Sequence, residues 1–229
     1  MSSEKPIVFY TGRTPNGFKV SVFLEELKAA YGGPDYDTRP LNMGKNEQKE
    51  PWFIAINPNG RIPAITDRSR NNFNVFESGA ILLYLAQHYD KERRFTFDPA
   101  TEPDDYSEML QWIFFTHGGV GPMHGQAGFF SRMTEKIPYA INRYVNETKR
   151  LYSVLEIRLK DRDYLAGPGR GKYTIADSNL WGWVRLHAGT ITPTLDEWPG
   201  LKAWNERIAA RPAHQAGINV PPEGWDKKQ

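Results

Sequence analysis

Apolar residues fall into two rhythms along this chain, and the change from one to the other divides it. In the first part, short β-rich runs alternate with helical spacing. Ile7-Val8-Phe9-Tyr10 forms a strand run, and the turn signals Thr11-Gly12 and Thr14-Pro15-Asn16-Gly17 separate it from Val20, Phe23, Leu24 and Leu27. Those four recur at i, i+3, i+4 and i+7, the spacing of one helix face. Gly32-Gly33-Pro34 stops the helix, and Tyr36 to Leu41 reads as a second strand. After a polar loop from Asn42 to Glu50, a helical turn near Pro51 to Ala55 leads to strands at Ala64-Ile65-Thr66 and at Phe73 to Phe76. Asn71-Asn72 suit the turn between them. A helix from Glu77 to Tyr89 follows, with apolar positions Ile81, Tyr84 and Leu85.

The order β-α-β then β-β-α predicts a small α/β domain of thioredoxin type over residues 1–90. Residues 91–103 turn charged and proline-interrupted, with Asp98-Pro99 and Glu102-Pro103, the composition of a linker. Beyond it the rhythm is helical throughout, which predicts an all-helical domain over 104–218. Tyr106, Met109, Leu110 and Ile113 mark one helix; Ile141, Tyr144, Val145, Thr148, Tyr152, Leu155 and Leu159 mark a longer one. Thr174-Ile175-Ala176-Asp177 is a capping box opening a third, and Leu201, Trp204 and Ile208 outline a fourth before Arg211-Pro212. Gly118 to Pro122 reads as a place where a helix ends or kinks. The tail, 219–229, contains Pro221-Pro222 and is expected to be extended.

The chain of 229 residues is long enough for a substantial core, and its formal charge of +2 gives no reason to expect nucleic acid or an anionic membrane as partner. It contains no cysteine. A disulfide framework, a thiolate metal site and a cysteine nucleophile are therefore excluded, and any thiol chemistry belongs to a ligand. His117 and His124 do not match a metal-binding spacing, so no metal is expected. No apolar run approaches the roughly 20 residues that span a bilayer, and residues 1–6 lack a basic head followed by an apolar core. The expectation is a soluble, cytoplasmic protein.

Two segments invite a ligand. Ile62-Pro63 closes a loop just before a strand, where proline cannot donate to a ladder and the neighbouring backbone is free to pair with a peptide. Glu77-Ser78 opens an apolar helix, whose free N–H groups and dipole favour a carboxylate. A small peptide with an ammonium and a carboxylate at one end would satisfy both. Both residues also suit an ordinary helix start.

These features, with an all-helical second domain, resemble the glutathione transferases over nearly the whole chain. More narrowly, Thr14-Pro15-Asn16-Gly17-Phe18-Lys19, Phe76 to Leu85, Leu110-Gln111-Trp112, Gly118 to Gln126, Ile137 to Ala140 and Arg143-Tyr144 look like the Nu-class bacterial and fungal nitrogen-regulator-like subgroup. The resemblance implies the glutathione transferase fold and a cis Ile62–Pro63 bond. It also implies glutathione-dependent disulfide-bond oxidoreductase activity beside weaker conjugation of electrophiles. Expected ligands are glutathione and oxidised glutathione, with small disulfides or electrophiles as second substrates and a homodimer as the assembly. By the same resemblance, Glu77 pairs with the glutathione ammonium, Ser78 holds its α-carboxylate, the Ile62 backbone pairs with the cysteinyl residue, and Gln48 and Arg61 face the glycyl carboxylate. Asn16, then Thr14, would donate to the thiolate; both also suit plain helix capping. Tyr10 is a third candidate, in a strand that also offers it the core. Arg143 would contact a second glutathione or a bound disulfide, or lie solvated on its helix. A non-catalytic glutathionyl-compound binder is the reading outside enzymology.

Overall fold

The computed structural model describes residues 4–225. The chain divides into two compact units, one drawn from Met1–Glu92 and Arg211–Gln229, the other spanning Arg93–Ala210.

In the first unit, β1 (Ile7–Thr11) pairs in parallel with β2 (Tyr36–Pro40) and antiparallel with β3 (Ala64–Asp67), and β3 pairs antiparallel with β4 (Phe73–Phe76). The resulting order is β2-β1-β3-β4. Every residue of β1 and β3 is buried, as central strands covered on both faces require, whereas β4 is an edge and largely exposed. Helices α1 (Pro15–Tyr31), α2 (Pro51–Ile54) and α3 (Ser78–Tyr89) complete the thioredoxin-like arrangement. Val20, Phe23, Leu24 and Leu27 of α1 are buried, the face that the periodicity picks out. Asn71 and Asn72 turn the β3–β4 hairpin at φ 56° and 55°, left-handed values that asparagine tolerates better than most residues.

The second unit contains α4 (Pro103–Phe115), a π-helical turn at Thr116–Val120, then α5 (Gly121–Arg132), α6 (Pro138–Leu159), α7 (Ile175–Val184) and α8 (Pro199–Ala209). The glycine-proline segment does not end the helix. Pro122 falls in the first turn of α5, directly after the π-helical turn in which Gly121 N donates to Thr116 O, and Thr116 Oγ1 donates back to Trp112 O at 2.9 Å. Helix α5 is therefore an element the sequence reading omits. Thr174 and Asp177 form the expected capping box, and Asp177 goes further: it is fully buried and accepts from Leu165 N, Trp204 Nε1 and Thr174 N at 2.9–3.0 Å. Burial pushes its carboxyl up to about 6 while those donors hold it down. Among the described residues, no helix is long and apolar enough to cross a membrane.

Three boundaries differ from those expected. Residues 93–102 are not a free linker but belong to the helical unit, where Phe95 and Phe97 are buried and Ile175 N donates to Phe95 O at 3.0 Å. The segment 212–217 is a short helix, α9 (Pro212–Gly217), that packs on α1 in the first unit, so the helical domain stops before 218. Within the expected extended tail, 219–225 is turned, with Trp225 N bonded to Pro222 O at 3.3 Å; 226–229 lies outside the described residues.

Candidate functional site

Three loop ends of the first unit bring the candidate residues toward one another. The first is the turn into α1. Thr14, in extended conformation, is the N-cap: its Oγ1 accepts from Gly17 N at 3.1 Å. A hydroxyl that accepts this bond still has its own proton to donate outward. Capping and donation to a ligand are thus compatible at Thr14. Asn16 is half-buried in the first turn of α1, which contains no acidic side chain to oppose an incoming anion. Gly17 makes the turn possible, because a Cβ there would lie 2.5 Å from Thr11 Oγ1 and 2.6 Å from Gly12 O.

The second is the proline loop. Ile62–Pro63 is cis, as the resemblance implies. A Cβ on Gly12 would lie 3.0 Å from Ile62 Cδ1, so the Ile62 side chain packs directly against the α1 turn. Among the described residues, the Ile62 backbone makes no hydrogen bond, leaving its N–H and C=O for an added strand. Asn57 organises this loop, donating from Nδ2 to Arg61 O at 2.6 Å and accepting from Asn59 N at 3.0 Å. Gly60, at φ 59°, brings the loop against Gln48, since a Cβ would meet Gln48 O at 2.9 Å. Gln48 therefore lies against the loop that carries Arg61. Gln48 is buried, yet its Oε1 has no partner among the described residues, an unsatisfied group of the kind a ligand completes.

The third is the start of α3. Glu77 is its N-cap at φ 69° and ψ 118°, a left-handed conformation costly for a residue with a Cβ. Its side chain does not cap the helix, and it is exposed. Ser78 is buried in the first turn, whose leading N–H groups have no backbone partner among the described residues. An anion acceptor and a carboxylate therefore stand side by side.

Two residues to which the sequence assigns no role of their own belong to this region. Asn57 is one. Lys19 is the other: only 1% exposed, on α1, its amine is lowered to about 7 by burial, with the Glu77 carboxylate opposing that shift. A lysine following the Asn-Gly-Phe turn reads as a solvated charge, and no spacing signal marks it otherwise. Tyr10 moves the opposite way. It lies in an apolar cluster with Val8, Leu41, Phe53 and Ala64, and its hydroxyl meets Thr66 Oγ1 at 3.4 Å. Core packing accounts for it.

Arg143 lies in the other unit, exposed on α6. There it lines a cavity of about 780 Å³ with Met123, Tyr139, Asn142, Asn146, Glu147 and Arg150. His117 pairs with Asn179 Oδ1 at 3.1 Å and His124 faces the Tyr152 hydroxyl at 3.5 Å, so both serve the interior of the helical unit.

Comparison with known proteins reaches both units. Residues 5–87 match the family described as glutathione S-transferase, N-terminal domain, and residues 125–212 match glutathione S-transferase, C-terminal domain. The disulfide-bond oxidoreductase YfcG of Escherichia coli is 42% identical over 90% of this chain and 92% of its own length. A glutathione transferase homologue from Lodderomyces elongisporus, solved with two glutathione molecules per subunit, is 41% identical with a TM-score of 0.86, covering 95% of this chain and all of that one. The glutathione transferase URE2P6 from Phanerochaete chrysosporium, solved with oxidised glutathione, is 38% identical with a TM-score of 0.86, covering 96% and 98% of the two chains.

Proposed function

The chain belongs to the glutathione S-transferase family, in its Ure2-like subgroup, and from that premise we propose that it is an enzyme that reduces small disulfides with glutathione. The observation that carries the reading is the α1 turn in a chain without cysteine. A capped helix start with a spare hydroxyl proton on Thr14, beside an unpaired Ile62 backbone, suits a thiolate that the protein itself does not supply.

Glutathione would lie across the three loop ends. Its ammonium pairs with Glu77, and its α-carboxylate takes the Ser78 hydroxyl and the first N–H groups of α3. The cysteinyl residue adds a strand to Ile62, and the glycyl carboxylate meets Gln48 and Arg61. Asn16 and Thr14 donate to sulfur. A free thiol ionises near 8.5, and lowering that by two units takes about 2.7 kcal/mol. One hydrogen bond to a charged group contributes about 1.5–3 kcal/mol and a helix N-terminus up to about 2, so this turn suffices without a general base.

The thiolate then attacks one sulfur of the disulfide, forming a mixed disulfide with glutathione and releasing the other half as a thiolate. A second glutathione thiolate attacks the glutathione sulfur of the mixed disulfide. Oxidised glutathione and the second thiol result, the two glutathiones having supplied both electrons. Arg143 would contact that second glutathione. A homodimer would cover apolar side chains such as Phe73, Phe76, Phe114 and Phe129, which are 38–65% exposed in the single chain.

Purified protein assayed with 2-hydroxyethyl disulfide and glutathione, with oxidised glutathione recycled by glutathione reductase, tests the reading. A rate no higher than the uncatalysed one rejects it. Turnover of 1-chloro-2,4-dinitrobenzene in the same preparation measures conjugation, and tight glutathione binding with neither activity identifies a binder.

A further inference from the structure

Arg13 precedes Thr14 and has no part in the site as described. Its guanidinium lies 5.7 Å from the Phe18 ring centroid, and its Nη1 donates to the carbonyl of Pro221 at 3.0 Å. Pro221 belongs to a segment fastened along α1. At one end Arg211 forms two hydrogen bonds to Glu26, at 2.5 and 2.9 Å. In the middle Ser21 Oγ donates to Gly217 O at 2.8 Å, and Gly217 approaches so closely that a Cβ would lie 2.5 Å from Val22 Cα. The order is Glu26 with Arg211, Ser21 with Gly217, Arg13 with Pro221. The segment 211–221 thus runs back along α1, antiparallel to it, and closes on the turn at its start.

The geometry points to Arg13 as a positioning residue: by tying the α1 turn to the Pro221 carbonyl, it holds Thr14 and Asn16 where their donors meet the sulfur of bound glutathione. This rests on the roles proposed above for Thr14 and Asn16. Within the turn, Thr14 N donates to Gly12 O at 2.8 Å and Phe18 N to Thr14 O at 3.0 Å, and the Arg13 bond adds an anchor to a segment distant in sequence. A shift of about 1 Å in a reacting group can lower turnover by about a hundredfold, so an external tether at this point has consequences well beyond its own bond. Neither Glu77 nor Gln48 is touched by it, and binding of the ends of the tripeptide is independent of Arg13.

The test uses the full chain with Arg13→Ala, Arg13→Gln and Arg13→Lys, reading three quantities: the pH dependence of thiolate absorbance in the glutathione complex, disulfide turnover, and affinity for S-methylglutathione, which has no thiol to ionise. With R13A and R13Q the bound thiol is expected to ionise about half a unit or more higher, and kcat to fall about tenfold, while S-methylglutathione affinity stays within about twofold. R13K, which keeps a donor long enough for the carbonyl, is expected to retain most of the activity. The role of Arg13 is overturned if neither the bound thiol nor kcat moves, or if S-methylglutathione binding falls in step with turnover. R13Q decides the matter should R13A not fold. Wild-type protein that binds no glutathione refutes the functional reading itself; a lowered wild-type thiol that R13A and R13Q leave in place refutes only this inference.

Discussion

Replacing Lys19 with methionine should remove a pH dependence of stability that the wild type has. The amine ionises near 10.5 when exposed, whereas in the fold burial lowers it to about 7. Between those values the unfolded chain carries a proton that the folded chain lacks, so raising the pH across that interval favours folding. Below about 7 both states are charged, and the whole cost of burying the ammonium falls on the fold. Each unit of pH within the window corresponds to about 1.36 kcal/mol, so wild type should gain about 2.5 kcal/mol relative to Lys19→Met between pH 7.5 and 9.5. Urea unfolding of the two proteins at a series of pH values measures the difference. Because other titrating groups are common to both, the difference isolates Lys19. A gap that stays constant from pH 6.5 to 9.5 refutes the argument. Glu77 is the charge that favours the protonated amine, so Glu77→Gln should move the lower edge of the window to still lower pH. That outcome would link the α1 interior directly to the proposed ammonium site.

Gly17→Ala forces a methyl within 2.5 Å of Thr11 Oγ1 and 2.6 Å of Gly12 O; thermal unfolding should show a loss of at least about 2 kcal/mol, and disulfide turnover should fall with it. Thr14→Ala removes both the cap to Gly17 N and the spare hydroxyl proton, so about 0.5–2 kcal/mol of stability and most turnover should go together, while Thr14→Ser should keep both in urea titrations and rate assays. Asp177→Asn leaves at least one buried donor among Leu165 N, Thr174 N and Trp204 Nε1 without an acceptor, and calorimetry should record a loss of about 1–3 kcal/mol or more with no change in the glutathione affinity of the folded fraction.

How far the chain could be read in advance depended on how local each signal was. Strand runs, the i, i+3, i+4, i+7 face of α1, the Asn71-Asn72 turn and the Thr174 capping box are decided by neighbours a few residues apart, and each sits where the sequence places it. The π-helical turn and α5 were missed because glycines and a proline read as a stop, whereas packing required Gly121 beside the Trp183 indole, where a Cβ would lie 2.9 Å from Nε1. Helix α9 was missed because Arg211-Pro212 reads as the end of α8, although a proline equally suits a first helical turn, and what fixes this short segment is α1, through Glu26, Ser21 and Val22.

The sequence alone determined that any thiol must come from the ligand, that a helix begins at a Thr-Pro-Asn-Gly turn, and that a proline loop and a Glu-Ser helix start follow it, since residue identity and short spacing are sufficient for each. Only the tertiary structure decided which of these meet. It set Ile62 against Gly12 and Gln48 against Gly60, sent Tyr10 into the core, buried the amine of Lys19, and ran the segment 211–221 back along α1 to Arg13. Those outcomes depend on close approach between segments distant in sequence, and on the loss of water that goes with it, which no periodicity or local propensity encodes.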